Sequence, residues 1–182
     1  TVSEEFSTMA GIYDLQEFLN VLGLVDKPSV SFGEDNIYIG GNAGRAIVKY
    51  YYADPEILTT PTKPITMPEE DVWFTLDETT VNGIKKAAAI FGHSQMLVEA
   101  DSGAIKLSVV DPDNSTANTY SITVDGGYNN ESFKFIINIA NLKMVQGTYN
   151  VKISKKLISQ FTSEDSNITY WIALEKSSTY GE

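Results

Sequence analysis

Two stretches at matching positions decide the architecture: "GIYDLQEFLNVLG" (Gly11–Gly23) and "FIINIANLKMVQG" (Phe135–Gly147). In the first, Leu15, Phe18, Leu19 and Leu22 recur at helical spacing. Asp14 stands at the N-cap, Glu17 completes a capping box, and Gly23 is the stop. In the second, Ile139, Leu142 and Val145 recur at similar spacing after Asn138, with Gly147 as the stop. Asp14 to Asn138 and Gly23 to Gly147 are the same 124 positions apart. After each predicted helix come extended runs: "SVSFG", "NIYIGG" and "AIVKYYYA" first, then "TYNVKIS", "LISQFT" and "ITYWIALE". A helix followed by a three-strand meander therefore occurs twice, and an internal repeat of this kind predicts an α+β chain of two similar domains.

The boundary between them is "ADPEILTTPTKPITMPEE" (Ala53–Glu70), which holds Pro55, Pro61, Pro64 and Pro68 of the six prolines. Proline fixes φ and lacks an N–H, so this segment reads as an extended linker. The expected division is residues 1–54, a linker over 55–70, and residues 71–182. The second part carries more before its repeat unit: "DVWFTL", a helix in "TTVNGIKKAAAIFG", then strands in "SQMLVEA", "AIKLSVV", "TYSITV" and "FKFII". If the halves are equivalent, the first lacks about 50 N-terminal residues holding a helix and several strands. The chain starts at Thr1 rather than Met, in keeping with that expectation.

Composition sets outer limits. Of 182 residues, 42% are hydrophobic and 20% charged, ordinary for a globular protein. No apolar run approaches the roughly 18 residues of a membrane span. With no cysteine, disulfides, thiolate catalysis and Cys-based zinc sites are excluded. A net charge of -11 argues against a surface that coats nucleic acid all round, yet permits a local basic stripe.

Residues with catalytic potential are few. The sole histidine, His93, follows Gly92 past a helix end, where an imidazole can satisfy terminal carbonyls. "DPDNS" (Asp111–Ser115) opens like a calcium loop but lacks the glycine and glutamate such loops use, so it reads as a polar turn. "GGNAGRA" (Gly40–Ala46) lacks the Lys-Ser/Thr of a phosphate loop and leads into a β-rich run. Glu69, Glu70 and Asp71 form a carboxylate run that reads as a solvated flank, not a catalytic pair. No enzyme and no cofactor are predicted.

"VNGIKKAAAIFG" (Val81–Gly92) is more informative. Val81, Ile84, Ala88 and Phe91 form its apolar stripe, which turns Asn82, Lys85, Lys86 and Ala89 outward. In the helix expected after Asn138, Lys143 can face out. Lysines solubilise any helix, so composition alone leaves their role open. Small neutral neighbours also suit a face lying beside something large without gripping it.

Four blocks then carry a resemblance: "GIYDLQEFLNVLGLV", "YYADPEILTTPTKPITMP", "FKFIINIANLKMVQGTYNVKI" and "YWIALEKSSTYGE". In order and spacing they resemble the sliding clamps of T-even-type tailed phages, processivity factors of the phage replicative DNA polymerase, from about Ser3 to the end. The resemblance implies a homotrimeric ring of two-domain subunits around duplex DNA, with strands outside and helices lining the channel. It implies no catalytic site, a separate clamp loader, a hydrophobic pocket near the linker for partner peptides, a role in late transcription, and the cytoplasm of an infected bacterium. On that reading Lys85, Lys86 and Lys143 face DNA phosphates. Ile57, Leu58 and Ile65, with Trp171, Ile172 and Leu174, form the partner pocket. The first predicted helix departs from the pattern, exposing Gln16, Glu17 and Asn20, none of them basic.

The residues leave two rivals: a structural β-rich virion or adhesin protein with no DNA role, and a small hydrolase using the carboxylates near Glu69. The clamp reading requires Lys85, Lys86 and Lys143 to share a surface away from most carboxylates.

Overall fold

The computed structural model describes residues 9–41, 46–59 and 63–181. The chain divides into two compact units, Val2–Pro64 and Ile65–Glu182.

The first unit holds helix α1 (Leu15–Gly23) and a meander of β1 (Ser29–Phe32), β2 (Asn36–Gly40) and β3 (Ile47–Tyr51) in the order β1-β2-β3, all antiparallel. Asp14 caps α1 by accepting from the Glu17 amide at 2.9 Å, as its sequence position requires. The end differs from expectation: Gly23 is the last helical residue and Leu24, in a right-handed conformation, is the cap. The core of this unit is small, with Val25, Ile37 and Ile39 buried and Phe18, Val21 and Leu22 of α1 packed on them. Leu15 and Leu19, read from spacing as part of the buried stripe, are 60% and 50% exposed. The small core of this unit takes Phe18, Val21 and Leu22 and leaves Leu15 and Leu19 to solvent. The expected linker is not extended throughout: Pro55–Ile57 forms a 3-10 turn capped by Asp54. The glycine turn read over Gly40–Ala46 falls largely on Asn42–Arg45, outside the described residues.

The second unit begins with β4 (Val72–Leu76) and α2 (Glu78–Phe91), followed by β5 (Gln95–Asp101), β6 (Ala104–Val110), β7 (Tyr120–Val124), β8 (Gly126–Tyr128) and β9 (Phe133–Asn138). It ends with β10 (Tyr149–Ser154), β11 (Ile158–Ser163), β12 (Thr169–Ala173) and β13 (Thr179–Tyr180). They form two five-stranded antiparallel sheets, β12-β11-β10-β4-β8 and β13-β9-β5-β6-β7. Alternation along β4 buries Val72, Phe74 and Leu76, and β10 contributes Tyr149, Val151 and Ile153 to the same face. These join Met96, Val98, Leu107, Phe135 and Ile137 of the other sheet and Val81, Ile84, Ala87 and Ala88 of α2 in one continuous core.

The helix expected after Asn138 does not form. Strand β9 runs through Asn138, whose side chain accepts from the Ala140 amide, and Ile139–Asn141 make a single 3-10 turn. Ile139 and Leu142 are buried, and their three-residue spacing fits a tight turn as well as an α-helix. Beyond them the backbone is satisfied by side chains instead of helical partners. The Val145 amide donates to the Tyr170 hydroxyl, the Val145 carbonyl accepts from Tyr149, and the Thr148 amide donates to Asp165. Val145, expected to face inward, is 60% exposed. The repeat therefore survives in its meanders and not in its second helix.

Candidate nucleic-acid interface

Helix α2 is fixed at both ends by side-chain and backbone devices readable in the sequence. Asp77 accepts from the Thr80 amide at 2.6 Å, and that hydrogen bond holds the Asp77 carboxyl below its usual range. At the other end Gly92 takes the left-handed conformation, φ 72°, and the His93 amide reaches back to the Ala88 carbonyl. The buried side is Thr80, Val81, Ile84, Ala87 and Ala88. Ala87 and Ala88 pack inward, so the alanine run mostly serves close approach to the sheet, and Ala89 alone joins the outer face. That face presents Asn82, Lys86, Ala89 and Ile90.

The cations fall into two classes. Lys106 pairs with Glu99 and Asp101, Lys152 with Glu70, and Lys155 with Glu69 and Asp71. The carboxylates raise the pKa of Lys106, chiefly through Glu99, and of Lys155, chiefly through Glu69. Among the described residues no ion pair engages Lys85, Lys86 or Lys143. Lys86 is exposed and Lys85 half-buried, in a cleft with Glu78, Val81 and Asn82 on one side and Met144–Gly147 and Tyr149 on the other.

Lys143 stands apart. It is exposed but sits on the loop after the 3-10 turn, not on a helix, because no second helix exists in this unit among the described residues. It lines a depression with Ala140, Asn141, Trp171, Ile172 and Ala173. The structure thus brings Lys85 and Lys86 together on one helix and sets Lys143 beside residues assigned from sequence to a partner pocket.

Of those pocket residues, Ile172 and Leu174 are buried in the core, and Trp171 turns to the outer face of β12. Ile57 and Leu58 belong to the first unit, where they line a shallow pocket with Ile12, Tyr13 and Thr59. Ile65 is exposed.

Other candidates resolve into structural roles. His93 Nε2 donates to the Asn118 carbonyl at 2.9 Å, joining the helix end to the β6–β7 loop instead of capping its own helix. A carbonyl oxygen accepts, so the contact requires the Nε2-protonated form. Asp111–Ser115 is a turn in which Asp111 and Asn114 side chains accept from the amides two residues on. The carboxylate run is not wholly solvated. Asp71 is buried, accepts from the Lys155 amide at 2.8 Å, and faces Lys155 Nζ at 3.5 Å. Tyr180 lies against the same group, and burial first, then Asp71, pushes the Tyr180 hydroxyl upward. Asp71 immediately precedes β4, its amide donating to the Ile153 carbonyl and its carbonyl accepting from the Asn129 amide, which holds it against the sheet; spacing gave no sign of it.

Register also shows what the sequence concealed. Trp73, Lys152, Gln160 and Trp171 are successive cross-strand neighbours on β4, β10, β11 and β12. Both tryptophans therefore share one row on the outer face of one sheet.

Among the described residues no group of histidine and carboxylate side chains could hold a metal, and no helix is long and apolar enough to cross a membrane.

Comparisons with known proteins bear on the fold and the family. The solved bacterial clamps share the fold: Caulobacter crescentus pol III beta superimposes with a TM-score of 0.58 at 14% identity, over 88% of this chain and 45% of that one. A DNA polymerase III beta subunit from Thermotoga maritima gives 0.57 at 10% identity, over 89% and 44%. This chain spans less than half the length of either structure. Curated relatives are closer in sequence. The sliding clamp of Vibrio phage KVP40 is 31% identical over 96% of this chain and 80% of that protein. The sliding clamp of Enterobacteria phage T4 is 30% identical over 98% and 80%. The family described as gp45 sliding clamp, C terminal, matches residues 73–176, more than half the chain, and these matches place the chain in the phage sliding clamp family.

Proposed function

We propose that this chain works as a DNA sliding clamp: a homotrimeric ring around duplex DNA that tethers the phage replicative polymerase and has no catalytic site of its own. The observation that carries the proposal is helix α2, whose Lys85 and Lys86 are unpaired among the described residues while Lys106, Lys152 and Lys155 are engaged by carboxylates. Lys134, Lys156 and Lys176 likewise carry no ion pair among the described residues, but α2 sets two such lysines side by side on one helix, a face suited to phosphate. Contacts to phosphate alone carry no base information. Sliding needs that indifference: topology retains the ring, and weak contacts let it move.

In this proposal Lys85 and Lys86 face DNA directly. Lys143 serves at the edge of the same path, next to the Trp171 depression. Ile57 and Leu58 of the first unit, and Ile65, Trp171, Ile172 and Leu174 of the second, are assigned to partner-peptide binding. Leu174 and Ile172 act as its floor from within the core. The domain division is residues 1–54, a linker over 55–70, and 71–182. Loading is the work of a separate ATP-driven clamp loader, the setting is the cytoplasm of the infected bacterium, and late transcription uses the same ring.

The test is Lys85→Glu with Lys86→Glu, loaded by its clamp loader onto nicked circular DNA. Retention and processive synthesis should fall about tenfold or more, because two favourable phosphate contacts become repulsive. Stability should stay within about 0.5 kcal/mol of the parent, since the substitutions leave the buried face intact. Full retention by the double variant, with normal folding, would remove α2 from the DNA path.

A further inference from the structure

We propose that the outward face of β8, β4, β10 and β11 is a second docking surface, a groove that takes a basic, extended peptide segment of a partner protein. It shares no lining residue with the Trp171 depression, which it adjoins where Gln160 pairs with Trp171, and none with the cleft beside α2.

The groove encloses about 560 Å³, within the range of roughly 300–1,000 Å³ typical of ligand sites. Its lining includes Trp73, Thr75, Asp125, Asn150, Lys152 and Gln160. These project from the face opposite the core, since their neighbours Phe74, Val151 and Phe161 are the buried ones. Trp73 remains 41% exposed. Its indole lies flat on β8 because Gly127 has no side chain: a Cβ there would stand 2.6 Å from the Trp73 ring. The result is a fixed aromatic platform open to solvent.

Charge selects the occupant. Lys152 is neutralised by Glu70, whereas Asp125 is exposed and forms no ion pair among the described residues. The uncompensated charge of the groove is therefore negative, in a chain of net charge -11. A phosphate backbone is repelled here. A guanidinium or ammonium stacked on Trp73 gains a cation–π contact and a carboxylate within the same groove. Gln160 adds an amide donor and acceptor suited to a peptide backbone, and Asn150, whose Nδ2 donates to Glu164 at 3.0 Å, adds a side-chain carbonyl acceptor. Four adjacent strands span roughly 14 Å, the length of about four extended residues. A basic segment of that length is what the surface fits.

The probe is the blocked hexapeptide acetyl-(Arg-Ser)₃-amide, titrated into the full chain labelled with ¹⁵N and followed by amide chemical shifts and tryptophan fluorescence. Shifts should cluster on Trp73, Thr75, Asn150, Gln160 and Gly126–Tyr128. Trp73→Ala and Asp125→Asn should each weaken binding about fivefold to tenfold, the worth of one cation–π or charge-assisted contact. Asp113→Asn makes the same charge change on the exposed β6–β7 turn and should alter binding less than about twofold. Equal losses in Asp125→Asn and Asp113→Asn would reduce the effect to general attraction and overturn the proposal. So would the absence of clustered shifts. Asp125 is exposed, so its substitution keeps the test valid even if Trp73→Ala unfolds the sheet.

Discussion

Helices α1 and α2 start alike and end in different worlds. Both begin at an aspartate whose carboxylate accepts from the amide three residues on. Yet α1 has no buried residue, while α2 buries Thr80, Val81, Ile84, Ala87 and Ala88. Capping and periodicity specify that a helix forms; they do not specify how deep it sits. Depth depends on the sheets. The three-stranded meander of the first unit offers Ile37 and Ile39, whereas the two sheets of the second close around α2 from several strands. Tertiary packing, more than intrinsic propensity, stabilises helices of this length.

That contrast can be broken by substitution. Ile84→Ala removes a fully buried side chain from the centre of the larger core and should cost about 2–5 kcal/mol in urea unfolding of the second unit. Asp71→Asn keeps the shape but loses the charge facing Lys155 in a site almost closed to water, and should cost about 1–3 kcal/mol by the same measurement. A loss near zero would mean Asp71 is solvated after all.

Asp77→Ala should cost about 1 kcal/mol, the worth of an N-cap. Its pH dependence has a definite sign. The folded carboxyl titrates below its unfolded value, so its contribution is present above the unfolded pKa and is lost as pH falls through the folded one. The parent and Asp77→Ala should therefore converge in stability only in acid, below about pH 4. Smallest of all, Leu19→Ala on the exposed side of α1 should change stability by less than about 0.5 kcal/mol. Thermal or chemical unfolding of all four variants would sharpen the comparison. It fails if Leu19→Ala costs as much as Ile84→Ala.

Much of this was legible in the residues. Every long strand of the second unit and both meanders follow from alternation and β-branched runs, and α2 is marked by Asp77, its stripe and Gly92. The cationic pair at Lys85 and Lys86 was visible as an anomaly in an acidic chain. What failed did so for physical reasons. Ile139 and Leu142 satisfy a 3-10 turn and an α-helix equally, and the backbone beyond them bonds to the hydroxyls of Tyr149, four positions on, and Tyr170 of β12, and to Asp165, in place of helical partners. Lys143 went with it. Asp71 looked like one of three surface acids because its partners, Lys155 and Tyr180, are more than eighty positions away. The tryptophan row is a matter of register, and no local pattern fixes the register of four strands. β8 was missed because two of its three residues are glycines, needed there by the close approach of Trp73.

The central claim is that this chain assembles into a ring, and its mass in solution tests that most directly. Light scattering coupled to size exclusion should give about three times the 20.0 kDa chain, 3 × 20.0 = 60 kDa, constant across the peak. A constant 20.0 kDa at high micromolar concentration would contradict self-assembly of this chain into a closed trimer.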